Sequence, residues 1–235
     1  MAWDSSHFKI NIARIHKSTE LTSEEMRRID QWCVDNKINC LYFLKNTGSG
    51  HNFELKNGFS FLDTRVVLKK SLKNISANHS FGNRKIELKK IKNVSSQSFD
   101  TELFLNFYKS RFYQDKNFNK ELVTKMYQIW VENHISAEDA EVIGAYLEDE
   151  IIGLITYELQ SNDIAKIGLF SVKNDFGNLG IGSKLMNKCM LDLKQRGEIN
   201  LSVVAQNSNK KAIKFYLNQG FKVEVIYDWF HKWYS

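Results

Sequence analysis

Long apolar runs are missing from this chain of 235 residues. No stretch reaches the roughly 18 consecutive apolar residues that a membrane-spanning helix needs, so we expect no membrane partner. The first residues, MAWDSSHFKINIARI, lack both a basic start and a long apolar stretch, which argues against a secretion signal. The sequence therefore predicts a cytoplasmic protein.

Cysteine is scarce. Cys33, Cys40 and Cys189 are odd in number and show no CxxC spacing. This pattern predicts reduced thiols and argues against a disulfide framework or a zinc site. The histidines show no HExxH or similar spacing, so the sequence indicates no metal.

The overall balance, 43% hydrophobic and 26% charged residues, is that of an ordinary globular protein, and either one large domain or two small ones would bury a core. The net charge of +6 is concentrated in LKKSLKNISANHSFGNRKIELKKIKN, residues 68–93. A solvated basic linker is the favoured interpretation of this segment, and a contact with nucleic acid is the alternative. We do not expect a nucleic-acid partner.

The second part of the chain alternates helical and strand patterns. TELFLNFYKSRFYQ and ELVTKMYQIWVENHI predict two helices, and two strands follow around a turn at residues 148–150. A strand over 164–172, a helix over 182–196, a strand over 199–205, a helix capped by Ser208 and a final strand come next. The last helix would bury the stripe Ala212, Ile213, Tyr216 and Leu217. This order predicts an α/β domain with a mixed sheet.

The first 68 residues repeat the theme on a smaller scale, as strand, helix, strand and short helix. FELKNGF (53–59) matches FYLNQGF (215–221) at Phe, Leu, Gly and Phe in step, with Glu54 where the second copy has Tyr216. An internal duplication explains the match, and chance is the alternative. We expect a small N-terminal α/β domain over 1–68, a basic linker over 69–97 and a larger domain over 98–235.

A glycine-rich turn lies in NDFGNLGIGSKLM, residues 174–186, between a predicted strand and a predicted helix. Such a turn directs several backbone N–H groups at one point, where the helix dipole favours an anion. The spacing is neither the GxGxxG of a Rossmann dinucleotide site nor a Walker loop, because Ser183 precedes Lys184. From the turn alone, a phosphate site and a structural turn both remain open.

The surroundings of the turn resemble a known superfamily. LFSV, the GxxGxG turn and SKLM resemble the acetyl-CoA signature of the GCN5-related N-acetyltransferases (GNAT), and NSNKKAIKFYLNQGF resembles their second signature, NxxAxxxYxxxGF. The resemblance covers about residues 98–235. It implies the GNAT fold, a mixed twisted sheet flanked by helices, with the N-terminal domain as a partial repeat, and acetyl-CoA as co-substrate.

The resemblance also implies roles for residues. The backbone of the turn would hold the CoA pyrophosphate, the strand edge would pair with the pantetheine arm, and the side chain of Asn209 would contact CoA. The N–H of Phe170 would stabilise the oxyanion, and Tyr216 would protonate the leaving thiolate. For Tyr216 the alternative is a purely structural place in the helix stripe. The implied donor site comprises Phe170, Ser171, Val172, Gly177, Asn178, Leu179, Gly180, Ile181, Gly182, Ser183, Asn209 and Tyr216.

The turn departs from the superfamily at its first position. Gly177 stands where glutamine or arginine is usual. A side chain near the pyrophosphate is therefore missing, while the backbone cradle remains. We expect this difference to affect the affinity for CoA more than its identity as the donor.

Further stretches resemble the dTDP-fucosamine acetyltransferase family, which acts on the 4-amino group of a nucleotide-linked dideoxy sugar. They are SRFYQD, YQIWVEN, KIGLF and the Tyr-Asp-Trp-Phe near the end, with WDSSHFKINIARI at the start. This likeness implies a nucleotide-linked amino sugar as acceptor and a role in surface polysaccharide synthesis. The resemblance implies that Tyr108, Arg111 and Tyr113, between the first two predicted helices, lie where the superfamily receives acceptors, and an arginine with aromatic rings suits a nucleotide diphosphate. Burial of these aromatic rings in the core is the alternative.

Several points stay open in the sequence. His134 and Glu158 are candidates for the general base, with a water chain as the alternative. The acceptor could instead be a protein N-terminus, a polyamine or an aminoglycoside, or the chain could bind acyl-CoA without turnover. The aromatic stretch IYDWFHKWYS could pair across a homodimer or be buried within one chain.

Overall fold

The computed structural model describes residues 1–48, 50–75, 86–92, 99–105, 107, 110–160 and 163–234. Nine strands in these ranges form one sheet, in the order β1-β2-β9-β3-β8-β7-β6-β5-β4. The strands are β1 (Ile12–Ile15), β2 (Cys40–Asn46), β3 (Ser60–Ser71), β4 (Ile86–Lys90), β5 (Ala140–Leu147), β6 (Glu150–Gln160), β7 (Ile164–Val172), β8 (Asn200–Gln206) and β9 (Lys222–Trp233). The helices are α1 (Ala2–Phe8), α2 (Ser23–Asp35), α3 (Asn52–Lys56), α4 (Glu102–Leu105), α5 (Arg111–Gln114), α6 (Lys120–Ser136), α7 (Ile181–Gln195) and α8 (Lys210–Asn218).

Strands from the two parts of the chain alternate at the centre of the sheet, in the order β2-β9-β3-β8. β1 pairs in parallel with β2, and β7 pairs in parallel with β8. β9 then lies between β2 and β3, while β3 lies between β9 and β8, all antiparallel. The predicted boundary at residue 68 falls inside β3, and the segment predicted as a linker contains β4. Both predicted domains therefore contribute to one sheet, and the division between them stays a prediction.

The sheet has two covered faces. The α7 face carries a cluster beneath α7 and α8 that includes Leu185, Val203 and Tyr216. The α6 face carries a second cluster beneath α1, α4, α5 and α6 that includes Phe112 and Trp229. A third, smaller cluster packs α2 against the N-terminal strands.

Several elements of the second part are confirmed to within two residues. β5 and β6 form the predicted hairpin, with Glu148 at φ 55° in its turn. β7, α7, β8 and β9 also lie where the patterns predicted them. The aromatic stretch at the end is β9, paired on both sides by strands of the same chain. Within this stretch, the side chains at 228–231 are buried within the one chain.

Other predictions were wrong. The helix predicted over 101–114 is not continuous: α4 and α5 are two short helices, and the described residues between them, Phe107 and Ser110, are not helical, with Ser110 N donating to Phe107 O at 2.8 Å. Helix α8 is capped by Asn209, whose Oδ1 accepts from Ala212 N at 3.2 Å, since Ser208 hydrogen-bonds Asp63 instead. Leu217, predicted to be buried, is 46% exposed.

The two similar heptapeptides have the same backbone geometry. Gly58 (φ 79°) ends α3 and Gly220 (φ 82°) ends α8. Phe59 N donates to Glu54 O at 3.0 Å, and Phe221 N donates to Tyr216 O at 3.0 Å. This glycine-ended helix leading into a strand is what an internal duplication predicts.

Within the described ranges, no helix combines the length and the apolar character needed to cross a bilayer.

Candidate active site

A cleft opens where β7 and β8 separate. β8 pairs with β7 only from Ile164 to Lys166, and beyond these residues the two strands diverge. The cleft has a volume of about 610 Å³ and lies between the end of β7, the glycine turn and α8. It is lined by Phe170, Ser171, Val172, Lys173, Asn174, Phe176, Gly177, Asn178, Gly180, Ile181, Gly182, Ser183, Asn209, Lys211, Ala212, Phe215 and Tyr216.

The glycine turn connects β7 to α7. Lys173, at its start, is held by Asp100 at 2.6 Å and Glu150 at 2.5 Å. Asn178 (φ 62°) and Gly180 (φ 78°) are left-handed, which brings the backbone round into the helix. Gly180 is the N-cap of α7 and has no side chain with which to cap it. The N–H groups of the first turn, residues 181–183, therefore point out of the helix N-terminus, where an anion is stabilised.

A β-bulge shapes the edge of β7 beside the cleft. The register between β6 and β7 shifts between Ile155 opposite Phe170 and Tyr157 opposite Ile167. Leu169 N donates to Thr156 Oγ1 at 2.9 Å at this bulge. Because Lys173 N donates to Ile152 O, the alternation of an antiparallel ladder directs the Phe170 N–H away from β6, towards the open side.

The bulge leaves no room for a side chain at Gly168. A Cβ there would lie 2.7 Å from Thr156 Oγ1 and 2.8 Å from His134 Nε2. His134 donates from Nδ1 to Trp130 O at 2.6 Å, and its Nε2 lies 4.0 Å from Glu158 Oε2. The two candidate bases thus lie together, against the bulge.

Tyr216 and Asn209 reach the cleft from α8. Tyr216 is 5% exposed, and its ring centre lies 6.3 Å from that of Phe170 and 5.6 Å from that of Phe215. Burial raises the pKa of Tyr216, with a smaller contribution from Cys189. Its phenol is therefore protonated at neutral pH.

The cleft brings together all but one of the residues predicted for the donor site. The exception is Leu179, whose side chain is 41% exposed and does not line the cleft. Sequence reasoning missed the lining residues Lys173, Asn174, Phe176, Lys211, Ala212 and Phe215. Lys211 and Ala212 had a signal, because they follow Asn209 inside the second signature.

The residues predicted for the acceptor lie elsewhere. Tyr108 falls outside the described residues. Arg111 and Tyr113 belong to α5, on the α6 face, and do not line the cleft. Tyr113 is hydrogen-bonded through its hydroxyl to Thr124 Oγ1. Arg111 packs its guanidinium carbon 4.4 Å from the centre of the Trp229 ring.

Metal ligands do not cluster in the described part of the chain, where no group of three His, Cys, Asp or Glu side chains is placed to hold an ion.

One protein family matches this sequence, and so do several individual proteins. The acetyltransferase (GNAT) family matches residues 101–221. The dTDP-fucosamine acetyltransferase of Escherichia coli O6:H1 (strain CFT073) is 22% identical over an alignment of 235 positions, which covers 99% of this chain and 96% of that protein. The spore coat polysaccharide biosynthesis protein SpsD of Bacillus subtilis (strain 168) is 27% identical over 128 residues, 54% of this chain. The match spans only 44% of SpsD.

Solved structures share the fold at low sequence identity. A conserved protein of unknown function from Staphylococcus epidermidis superposes with a TM-score of 0.66 at 16% identity, over 93% of this chain and 83% of that one. A GCN5-related N-acetyltransferase from Sphaerobacter thermophilus gives 0.65 at 12% identity, over 90% and 67%. Because the family match spans more than half of the sequence, the chain belongs to the acetyltransferase (GNAT) family and is an N-acetyltransferase.

Proposed function

We propose that this enzyme transfers the acetyl group of acetyl-CoA to the amino group of a nucleotide-linked amino-deoxy sugar, such as a dTDP-4-amino-4,6-dideoxyhexose. The observation that carries the donor half is the cleft, which combines the glycine turn, the edge of β7, Asn209 and Tyr216. The acceptor half is supported by the likeness to dTDP-fucosamine acetyltransferase, which extends over 99% of this chain. We place the reaction in the cytoplasm, in the synthesis of a surface polysaccharide, as the name of SpsD suggests for that relative.

The donor would bind along the cleft. The N–H groups of residues 178–183 face the pyrophosphate, and the dipole of α7 adds positive potential there. Phe170, Ser171 and Val172 line the cleft beyond the residues at which β7 pairs with β8, and this part of β7 would receive the pantetheine arm as a sheet edge receives an added strand. Lys211 lines the same cleft and adds positive charge close to the phosphates.

The chain's residues would then assist a direct transfer. The neutral amine attacks the thioester carbonyl, and the Phe170 N–H donates to the oxygen on which negative charge develops. As the C–N bond forms and the C–S bond breaks, the Tyr216 O–H gives its proton to the departing thiolate. The amine's own proton leaves to a base, for which His134 and Glu158 are the candidates beside the bulge.

Acetyl-CoA would be offered with dTDP- and UDP-linked 4-amino sugars, a peptide with a free N-terminus, spermidine and an aminoglycoside, and free thiol release would be followed. We expect rapid release with a nucleotide-linked amino sugar and only background release with the others. Faster release with the peptide, the polyamine or the aminoglycoside would replace the proposed acceptor. Release with none of them, together with tight acetyl-CoA binding, would favour a non-catalytic acyl-CoA-binding module.

A further inference from the structure

Three arginines from distant parts of the chain gather on the α6 face. Arg111, from α5, and Arg14, from β1, both lie against the Trp229 ring, with their guanidinium carbons 4.4 Å and 5.8 Å from its centre. Arg65, from β3, lies over Tyr227, at 5.9 Å. We call Arg14, Arg65 and Arg111 the arginine cluster.

The pairing of the strands explains why these side chains meet. Tyr227 is opposite Arg65, and Arg65 is opposite Gln206 on β8. Partners across a ladder point to the same face, and Trp229 shares that face because it is two residues from Tyr227. Arg65 therefore lies on the face of the sheet that carries Trp229, where Arg14 and Arg111 also lie.

The cluster holds positive charge without a neutralising ion pair. No carboxylate within the described ranges forms an ion pair with Arg14, Arg65 or Arg111, and none of the residues outside those ranges is Asp or Glu. Asp4 attracts Arg111 only at longer range. Burial lowers the pKa of Arg65, and the charges of Arg111 and Arg14 lower it further. Such a group of guanidinium ions is stabilised by an added anion.

Unpaired polar atoms in the same place point to the same kind of ligand. Arg14 Nε, Arg111 Nε and Trp229 Nε1 are buried and have no hydrogen-bond partner within the described residues. All three atoms can only donate. A ligand that satisfies these three atoms must offer acceptors, as phosphate oxygens do.

The cluster also lies next to the cleft. Gln206, the residue opposite Arg65, accepts through its backbone oxygen from Asn209 N at 2.9 Å, and Asn209 lines the cleft. Along β8, Leu201, Val203 and Ala205 belong to the cluster beneath α7 and α8, so Gln206 faces the opposite side. An acceptor held by the arginines would thus approach the diverging strands from the face opposite the α7 helix.

We propose that Arg14, Arg65 and Arg111 hold the diphosphate of the acceptor nucleotide, with Trp229 Nε1 donating to it and Tyr227 beside it. Three guanidinium groups match two adjoining phosphates better than a single carboxylate or a neutral sugar. This inference rests on the proposed function, because the acceptor named there carries a diphosphate. It adds Arg14, Arg65, Tyr227 and Trp229 to that site.

Binding of dTDP, thymidine and inorganic pyrophosphate to the full chain would be measured by calorimetry, separately from acetyl-CoA. We expect dTDP to bind, pyrophosphate to compete with it, and thymidine to bind far more weakly. Added salt should lower the affinity for dTDP. Arg14→Gln and Arg65→Gln would each weaken dTDP by about 10-fold or more, because each removes a charge-assisted hydrogen bond. Acetyl-CoA binding would not change.

Arg27→Gln is the matched control, since Arg27 is an exposed arginine of α2. Equal binding of thymidine and dTDP by the wild type would overturn the inference even if a variant failed to fold. Unchanged dTDP affinity in folded Arg14→Gln and Arg65→Gln proteins would overturn it too. If the enzyme acetylates a nucleotide-linked amino sugar but the arginine variants bind dTDP as tightly as the wild type does, the proposed function is supported and the diphosphate site is refuted. Arginine-dependent dTDP binding without transfer would refute only the acceptor sugar.

Discussion

Phe170 on β7 and Tyr216 on α8 face each other in the cleft, with ring centres 6.3 Å apart. A backbone N–H on one side and a phenol on the other suit a thioester held between them. Tyr216→Phe would lower kcat by about 100-fold or more, which is the usual contribution of a general acid, and would leave acetyl-CoA binding unchanged. Thiol release and calorimetric titration measure the two quantities.

Tyr234→Phe is the control, because Tyr234 is hydrogen-bonded to Asp30 in the N-terminal part, away from the cleft. Burial raises the pKa of Tyr216, so its proton stays in place as pH rises past neutral, and the wild-type rate would not fall there through its loss. Unchanged turnover in Tyr216→Phe would remove this residue from the mechanism.

Two glycines in the left-handed conformation flank α7, and substituting each of them distinguishes an effect on stability from an effect on acetyl-CoA binding. Gly180 (φ 78°) precedes the helix, Gly197 (φ 90°) follows it, and a Cβ at either position meets open space. Gly180→Ala and Gly197→Ala would each cost about 1–2 kcal/mol of unfolding free energy, because alanine is strained at positive φ. Only Gly180→Ala would also weaken acetyl-CoA, since it distorts the turn at the helix N-terminus. Denaturant unfolding and calorimetry check both effects. Equal acetyl-CoA affinities in the two variants would argue against a phosphate seat in this turn.

The buried histidine His231 makes stability depend on pH. Burial lowers its pKa to about 4, although Asp115 Oδ2, 2.7 Å from Nδ1, acts in the opposite direction. In the unfolded chain the pKa is about 6.5. Between these values the unfolded state binds a proton that the folded state does not. The unfolding free energy, complete above about pH 6.5, thus falls by about 1.4 kcal/mol per pH unit on acidification. Urea unfolding from pH 7 to 4.5 would show this slope, and His231→Gln would remove it; parallel profiles for the two proteins would refute it.

Glu54 occupies in the first heptapeptide the place that Tyr216 has in the second, and it forms a buried ion pair. Its Oε1 lies 2.8 Å from Lys45 Nζ, and both side chains are at most 2% exposed. Glu54→Gln would cost about 3–5 kcal/mol of unfolding free energy, because it leaves a buried ammonium without its carboxylate. Combining Lys45→Met with Glu54→Leu would recover most of that loss. Denaturant unfolding compares the three proteins, and a Glu54→Gln protein as stable as the wild type would show that the pair contributes nothing.

Much of the donor cleft was predictable because its parts are local. The turn, the start of α7 and α8 are set by glycines, caps and apolar spacing within a short stretch of sequence. The side chain of Leu179 turned outward since the left-handed residues on both sides, Asn178 and Gly180, redirect the backbone there.

The arginine cluster was not predictable from sequence patterns. Arg14, Arg65 and Trp229 meet only through strand pairing between distant segments, and each alone resembles an ordinary strand residue. The split between α4 and α5 was missed for a related reason. An apolar pattern shows that Phe104 and Phe112 are buried, but not that the chain bends so that both reach the same core.

The alternation of strands from the two parts of the chain has a consequence for folding. On the side away from β1, β2 pairs with β9, so Tyr42 of the N-terminal part pairs with His231 near the end of the sequence. During synthesis the N-terminal strands therefore emerge with an unpaired edge, long before the residues that cover it. Pairings across such sequence separations slow folding, because the loop entropy is lost before the contact forms. The pairing of β9 with β2 and β3 is such a long-range step, and it also brings Trp229 to Arg14 and Tyr227 to Arg65, so the arginine cluster depends on it.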